Sequence, residues 1–101
     1  MALPSVHVAL LEVRPLKGCA LFPGKVRGAF LRCYVHAVST RSARARIRKS
    51  MAARKLKVVG IDWCVREDGV QWEKPESRAA RKFILAARRG DDVIVGRADS
   101  W

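Results

Sequence analysis

Apolar positions recur along this chain with two different periods. Val6–Pro15, VHVALLEVRP, is apolar and β-branched, and predicts a strand that ends near Pro15. Leu16–Lys25, LKGCALFPGK, carries Gly18, Pro23 and Gly24 and predicts a loop. Gly28–Val38, GAFLRCYVHAV, alternates most clearly. Leu31, Cys33, Val35 and Ala37 form one face, and Phe30, Arg32, Tyr34 and His36 form the other. Ser39 or Thr40 then suits a helix N-cap, and the helix runs to about Lys55. Its apolar seam is narrow: Ala43, Ile47 and Met51, widened by Ala52 and Leu56.

The second half repeats the logic. Leu56–Asp68 predicts a strand with Val59, Ile61, Trp63 and Val65 on one face. Glu67–Val70 is a turn signal, and Val70–Trp72 is placed to pair back briefly. Lys74-Pro75-Glu76 opens a second helix, with Ala80, Phe83, Ile84 and Ala87 as its apolar stripe. Arg88 and Arg89 suit the negative end of that helix, and Gly90 its stop. A short strand near Val93–Val95 and a polar tail complete the chain.

This order predicts one α+β domain: two helices packed on one face of a mainly antiparallel sheet of about four strands. Within it, residues 1–27 form an N-terminal strand and basic loop, 28–97 the α+β core and 98–101 the tail. From Ala29 onward, element order and pattern resemble the ferredoxin-like split β-α-β arrangement of many small bacterial proteins. That resemblance covers about 70 residues, contains no diagnostic motif, and implies a fold without implying an activity.

Charge changes the picture. The chain has 101 residues and a formal net charge of +12. Residues 1–40 hold five basic residues and one acidic, residues 41–57 hold eight basic and none acidic, and residues 58–101 hold eight of each. The excess therefore belongs to the first 57 residues, and two thirds of it to the first helix and the strand start after it. Such asymmetry is the footprint of a polyanionic partner. The expected contacts are Arg41, Arg44, Arg46, Arg48, Lys49, Arg54 and Lys55 on the helix. Arg32, Tyr34 and His36 on the strand follow as secondary contacts, and Lys25 and Arg27 as a basic loop. An α-helix fits the major groove of B-DNA, and arginine pairs well with phosphate. The sequence thus points to a nucleic-acid-binding protein, with double-stranded DNA preferred over RNA. A homodimer presenting two basic faces suits a chain of this size. The alternative is an interaction module, inhibitor-like or immunity-like, whose basic face covers an acidic protein.

Other classes find less support. The longest apolar runs fall well short of the 18 residues that a membrane helix needs, and the helix at 41–55 lacks bulky anchors for lipid. No cleaved leader is expected, and a cytoplasmic location is the default. Cys19, Cys33 and Cys64 are odd in number and contain no CxxC pair, so neither a disulfide framework nor a zinc module is expected. No metal, cofactor or catalytic residue is expected. His7, His36 and Cys33 lack ligand spacing and an orienting acid. Asp62 would need Asp91 or Asp92 beside it to make a two-carboxylate nuclease centre. Arg27–Tyr34, RGAFLRCY, departs from the basic-glycine-aromatic motif of RNA-recognition domains at Ala29. Leu56–Val65 reads as a strand where a ribbon-helix-helix protein needs a second helix. Trp101, last in the sequence, is expected either to dock on a partner or to be mobile.

Overall fold

A computed structural model describes residues 3–19, 21, 22, 25–69, 74–90 and 92–101. The elements are β1 (Ser5–Pro15), β2 (Ala29–Ala37), α1 (Thr40–Ala53), β3 (Leu56–Arg66), a 3-10 turn (Glu67–Gly69), α2 (Lys74–Arg89) and β4 (Ile94–Ser100). The strands form one sheet in the order β3-β1-β2-β4, and all three neighbouring pairs are antiparallel. β2 and β3 therefore run parallel, joined by α1, with β1 inserted between them. This is the split β-α-β unit that the element order suggests, although its inserted strand comes from residues ahead of Ala29.

The expected α+β class, with two helices on a four-stranded antiparallel sheet, is the fold observed. The helices do not share a face. Ala9, Leu11, Val13, Leu31, Cys33 and Val35 point to α1 and pack on Ala43, Ile47 and Met51. The intervening residues Val6, Val8 and Tyr34 pack on Ala80 and Ala87 of α2. Both faces of β1 and β2 are thus covered at this end, which is why Val8, Ala9, Cys33 and Tyr34 are all buried despite their alternation. The two interior strands are sandwiched, and near-continuous burial is the signature of that position.

α1 begins where Ser39 adopts an extended backbone and its hydroxyl accepts from the Ser42 N–H at 3.1 Å. Its three seam residues are fully buried. Ala52, expected to widen the seam, is exposed. The helix ends at Arg54, and Lys55 follows with φ 59°, in the left-handed region where glycine is the usual occupant. β3 departs from its expected alternation. Register slips against β1 between Leu10 and Leu11, and again between Glu12 and Val13. Each slip leaves an extra residue, Asp62 and Val59. Ile61 consequently joins the α1 side while Trp63 joins the α2 side. β4 runs to Ser100, pairing with Ala29, where a short strand near Val93–Val95 and a polar tail are expected from the sequence. Gly96 allows this edge strand to pass Tyr34, since a Cβ there would lie 2.7 Å from the tyrosine ring. The brief return strand at 70–72 lies outside the described residues.

Candidate nucleic-acid interface

α1 places the chain's densest charge. At 100° per residue, its buried seam leaves Ser42, Ala45, Lys49 and Ala52 on the outermost ridge. Three of those four side chains are small, so the long cations on the two flanks reach past the crown of the helix. The two flanks behave differently. Arg41, Arg44, Arg48 and, just past the helix end, Lys55 line the side towards β3, and all four are exposed. Arg44 hydrogen-bonds the Cys64 sulfur, and the Lys55 side chain lies over Gly18, where a Cβ would stand 3.1 Å from its Nζ. Burial raises the Cys64 thiol above its ordinary range, opposed by the charge and hydrogen bond of Arg44.

The other flank is committed to structure. Arg46 is half-buried and donates to the His36 carbonyl. Arg54 is half-buried and donates to the Val93 carbonyl at 2.9 Å. Together they tie α1 to the end of β2 and the start of β4. A recess here is lined by Arg46, Lys49, Ser50, Ala53, Asp92 and Val93. The Asp92 carboxylate makes this side less favourable for phosphate than the Arg41–Lys55 flank. Lys49, exposed near the crown, can serve either.

The secondary candidates separate as well. Tyr34 is only 2% exposed and stacks on Phe83 of α2, with ring centroids 5.4 Å apart, so it is closed to any base. Arg32 is half-buried, its guanidinium 5.8 Å from the Trp63 ring centroid. His36 is half-buried on the same side of β2, away from α1. Lys25 and Arg27 are exposed at the opposite end of the sheet from Ser39. The seven helix cations and the three strand residues therefore lie on opposite faces, and no single surface unites them.

Sequence reasoning missed a second cationic locus. The register places Arg14 directly opposite Lys57, both exposed. Nearby, the Leu16 N–H donates to the Lys55 carbonyl at 2.8 Å, bringing the loop after β1 against the end of α1. The signal was the phase of β1 against β3, which depends on the two bulges. Acidic partners gather elsewhere: Arg88 with Glu67 at 2.7 Å, Arg66 with Asp68 at 3.4 Å and Arg97 with Asp99 at 3.6 Å. Among the described residues, no ion pair engages Arg41, Arg44, Arg48, Lys49 or Lys55.

Catalytic arrangements do not assemble from the histidines and acids considered. His7 pairs with Val35 and faces α1, its Nδ1 donating to the Ser5 carbonyl at 3.1 Å, while His36 pairs with Val6 on the other face. Asp62 sits on edge strand β3, and Asp92 precedes β4 at the opposite edge. Asp91 lies outside the described residues. No group of three potential metal ligands occurs among the described residues. Among them, too, no helix is long and apolar enough to cross a membrane.

Comparison with protein-family models, with curated proteins and with solved structures finds no match.

Proposed function

We propose that this protein binds nucleic acid through α1, with double-stranded DNA as the target. The observation that carries this reading is the Arg41–Arg44–Arg48–Lys55 flank. It is a row of exposed cations with no carboxylate partner among the described residues, on a helix whose crown is small enough for close approach. Arg41 to Arg48 covers about 10 Å along the helix axis at 1.5 Å per residue, and Lys55, just past the helix end, extends the row further. Such a row suits a run of phosphates along a groove wall. Contacts of this kind position a protein on the duplex without reading its sequence. Arg46 and Arg54 hold the helix in place beneath the contact surface.

With five exposed cations engaged (the flank plus Lys49), log affinity falls with log salt at a slope of about −4.5. Fluorescence anisotropy with a labelled random duplex from 50 to 300 mM salt tests this. Steep salt dependence that becomes shallow when Arg41, Arg48 and Lys55 are changed to glutamine supports the reading. Absence of binding at the lowest salt refutes it and redirects the search to an acidic protein partner.

A further inference from the structure

The sheet face opposite α1 is only partly covered. α2 covers Val6, Val8 and Tyr34. Beyond it, towards the end where β1 leaves and β4 finishes, the same face carries Leu10, Glu12, Phe30 and Arg32, and among the described residues no helix packs over them. There Trp101 pairs with Gly28: its N–H donates to the Gly28 carbonyl at 2.9 Å, and its own carbonyl accepts from Arg27 at 2.7 Å. The indole lies over Gly28. A Cβ at that glycine would stand 2.7 Å from the ring, so only glycine admits it. The ring meets Phe30 at 5.1 Å between centroids, tilted by 47°. Even so packed, Trp101 remains 52% exposed and Phe30 37% exposed. Beside Phe30 a shallow recess of about 160 Å³ is lined by Leu10, Phe30, Arg32, Arg97 and Asp99.

Two anchored aromatic rings with open surface, on a strand face and at an opening bordered by cations, form a stacking platform. The border is supplied by Arg14 and Lys57, which share this face because they pair directly in register. Arg27 adjoins Trp101 through the backbone. Like charges directly opposite one another on neighbouring strands repel, and a phosphate between Arg14 and Lys57 removes that repulsion. The face also holds two carboxylates, Glu12 and Asp99, and Asp99 is paired with Arg97. Glu12 lies between Phe30 and Gly60 in register, two residues from Arg14 on the same strand face, and makes no ion pair among the described residues.

We infer that the Phe30–Trp101 platform stacks unpaired nucleotides, whose phosphates run over Arg14, Lys57 and Arg27. This rests on the nucleic-acid reading above and extends it to a second surface with different chemistry. The α1 flank takes the backbone of a duplex, and the platform takes the faces of bases that a duplex hides. Lys55 and the loop packed on it lie between the two, so a strand leaving the duplex meets cations along its way.

The test compares three labelled probes on the full chain: a dT12 strand, a 12-residue abasic strand of equal charge, and a random duplex. Stacking of one base should make dT12 bind roughly 5- to 150-fold tighter than the abasic strand, and a second stacked base should widen the ratio. Because both strands carry the same phosphates, that ratio should hold from 50 to 300 mM salt while both affinities fall. Trp101→Leu, which leaves an apolar group over Gly28, and Phe30→Leu should each bring the ratio towards one without altering duplex affinity. A ratio of one in the unaltered protein, with duplex and abasic strand still bound, overturns the platform and leaves the α1 reading standing. Failure to bind any of the three at 50 mM salt overturns the α1 reading and the platform with it. A base-dependent ratio without duplex binding supports the platform and refutes the duplex reading alone.

Discussion

Arg48 and Arg54 lie six residues apart on one basic segment, and the structure gives them opposite tasks. Arg48 is exposed and lies between Arg44 and Lys55 on the β3-side flank. Changing it to glutamine removes one phosphate partner, so the salt slope should shrink by about 0.9, from about −4.5 to about −3.6. It should not destabilise the protein. The Arg44–Arg48 pair is a like-charge i,i+4 neighbour, and its loss should stabilise the helix by about 0.2–0.5 kcal/mol. Arg54 is half-buried, and its guanidinium bonds the Val93 carbonyl at 2.9 Å. Arg54→Gln removes a hydrogen bond from a charged donor and strands a carbonyl where α1 meets β4. The cost should be about 1.5–3 kcal/mol, or roughly 6–20 °C in melting temperature for a domain this size.

The assay is a pair of measurements on each variant. Thermal unfolding by circular dichroism gives stability, and anisotropy with a random duplex from 50 to 300 mM salt gives the slope at a temperature where both are folded. Arg48→Gln should move the slope and spare the melting temperature, and Arg54→Gln should do the reverse. If both variants lower the slope equally and leave stability alone, Arg54 faces solvent as Arg48 does. The division of α1 into a contact flank and an anchoring flank would then be wrong.

Two further outcomes follow from other groups. Lys55 occupies a left-handed conformation that costs a non-glycine residue about 1 kcal/mol, so Lys55→Gly should raise stability by about that amount in urea unfolding while lowering duplex affinity; unchanged affinity would remove Lys55 from the contact flank. Burial pushes the Cys33 thiol from 9.0 up to about 12, against the nearby charge of Arg54 and with a small rise from Cys64. Between about pH 9 and pH 12 the unfolded chain therefore releases a proton that the folded chain keeps, and stability falls as pH rises, by up to about 1.4 kcal/mol per pH unit. Cys33→Ala should reduce that slope between pH 9 and 10.5, leaving the part supplied by the raised Cys64 thiol, and an equal slope in both proteins would refute the assignment.

Much of the fold was legible because local signals and packing agree. The Ala43–Ile47–Met51 spacing and the Ser39 cap mark α1 independently, and the alternation in β2 locates a strand whose odd positions are all buried. What failed was long-range. Phe30, Arg32, Tyr34 and His36 look alike as a polar and aromatic face, yet α2 buries Tyr34 and leaves Phe30 open. That difference depends on where a helix some 40 residues later crosses the sheet. The bulges in β3 shift Ile61 and Trp63 to opposite faces and leave no mark that a period-two reading detects. The final strand was read too short because Arg97, Ala98, Asp99 and Ser100 offer little to a core. An edge strand pairs through its backbone, and its outer residues need no apolar character. The same blindness hid the Arg14–Lys57 pair and the Trp101–Phe30 contact, which exist only through register.

Charge placement in the folded chain argues against a merely basic surface. Around the 3-10 turn, α2 and β4, three cations find carboxylates, Arg88 with Glu67, Arg66 with Asp68 and Arg97 with Asp99, while Arg81, Lys82 and Arg89 of α2 are exposed and make no ion pair among the described residues. On the other flank of α1, Arg46 and Arg54 find backbone carbonyls. Costs that go unrelieved among the described residues collect in two adjoining places. Along the β3-side flank of α1, Arg41–Arg44 and Arg44–Arg48 are like-charge neighbours, and Lys55 adds a left-handed backbone. At the nearby end of the sheet, Arg14 faces Lys57. Each cost is a few tenths of a kcal/mol to about 1 kcal/mol, small enough to tolerate, and an anion removes every one that is electrostatic. A single unpaired cation would say nothing. Several that repel one another on one flank, in a fold that pairs three of its other cations with carboxylates, are the arrangement expected when the counter-charge arrives with a partner.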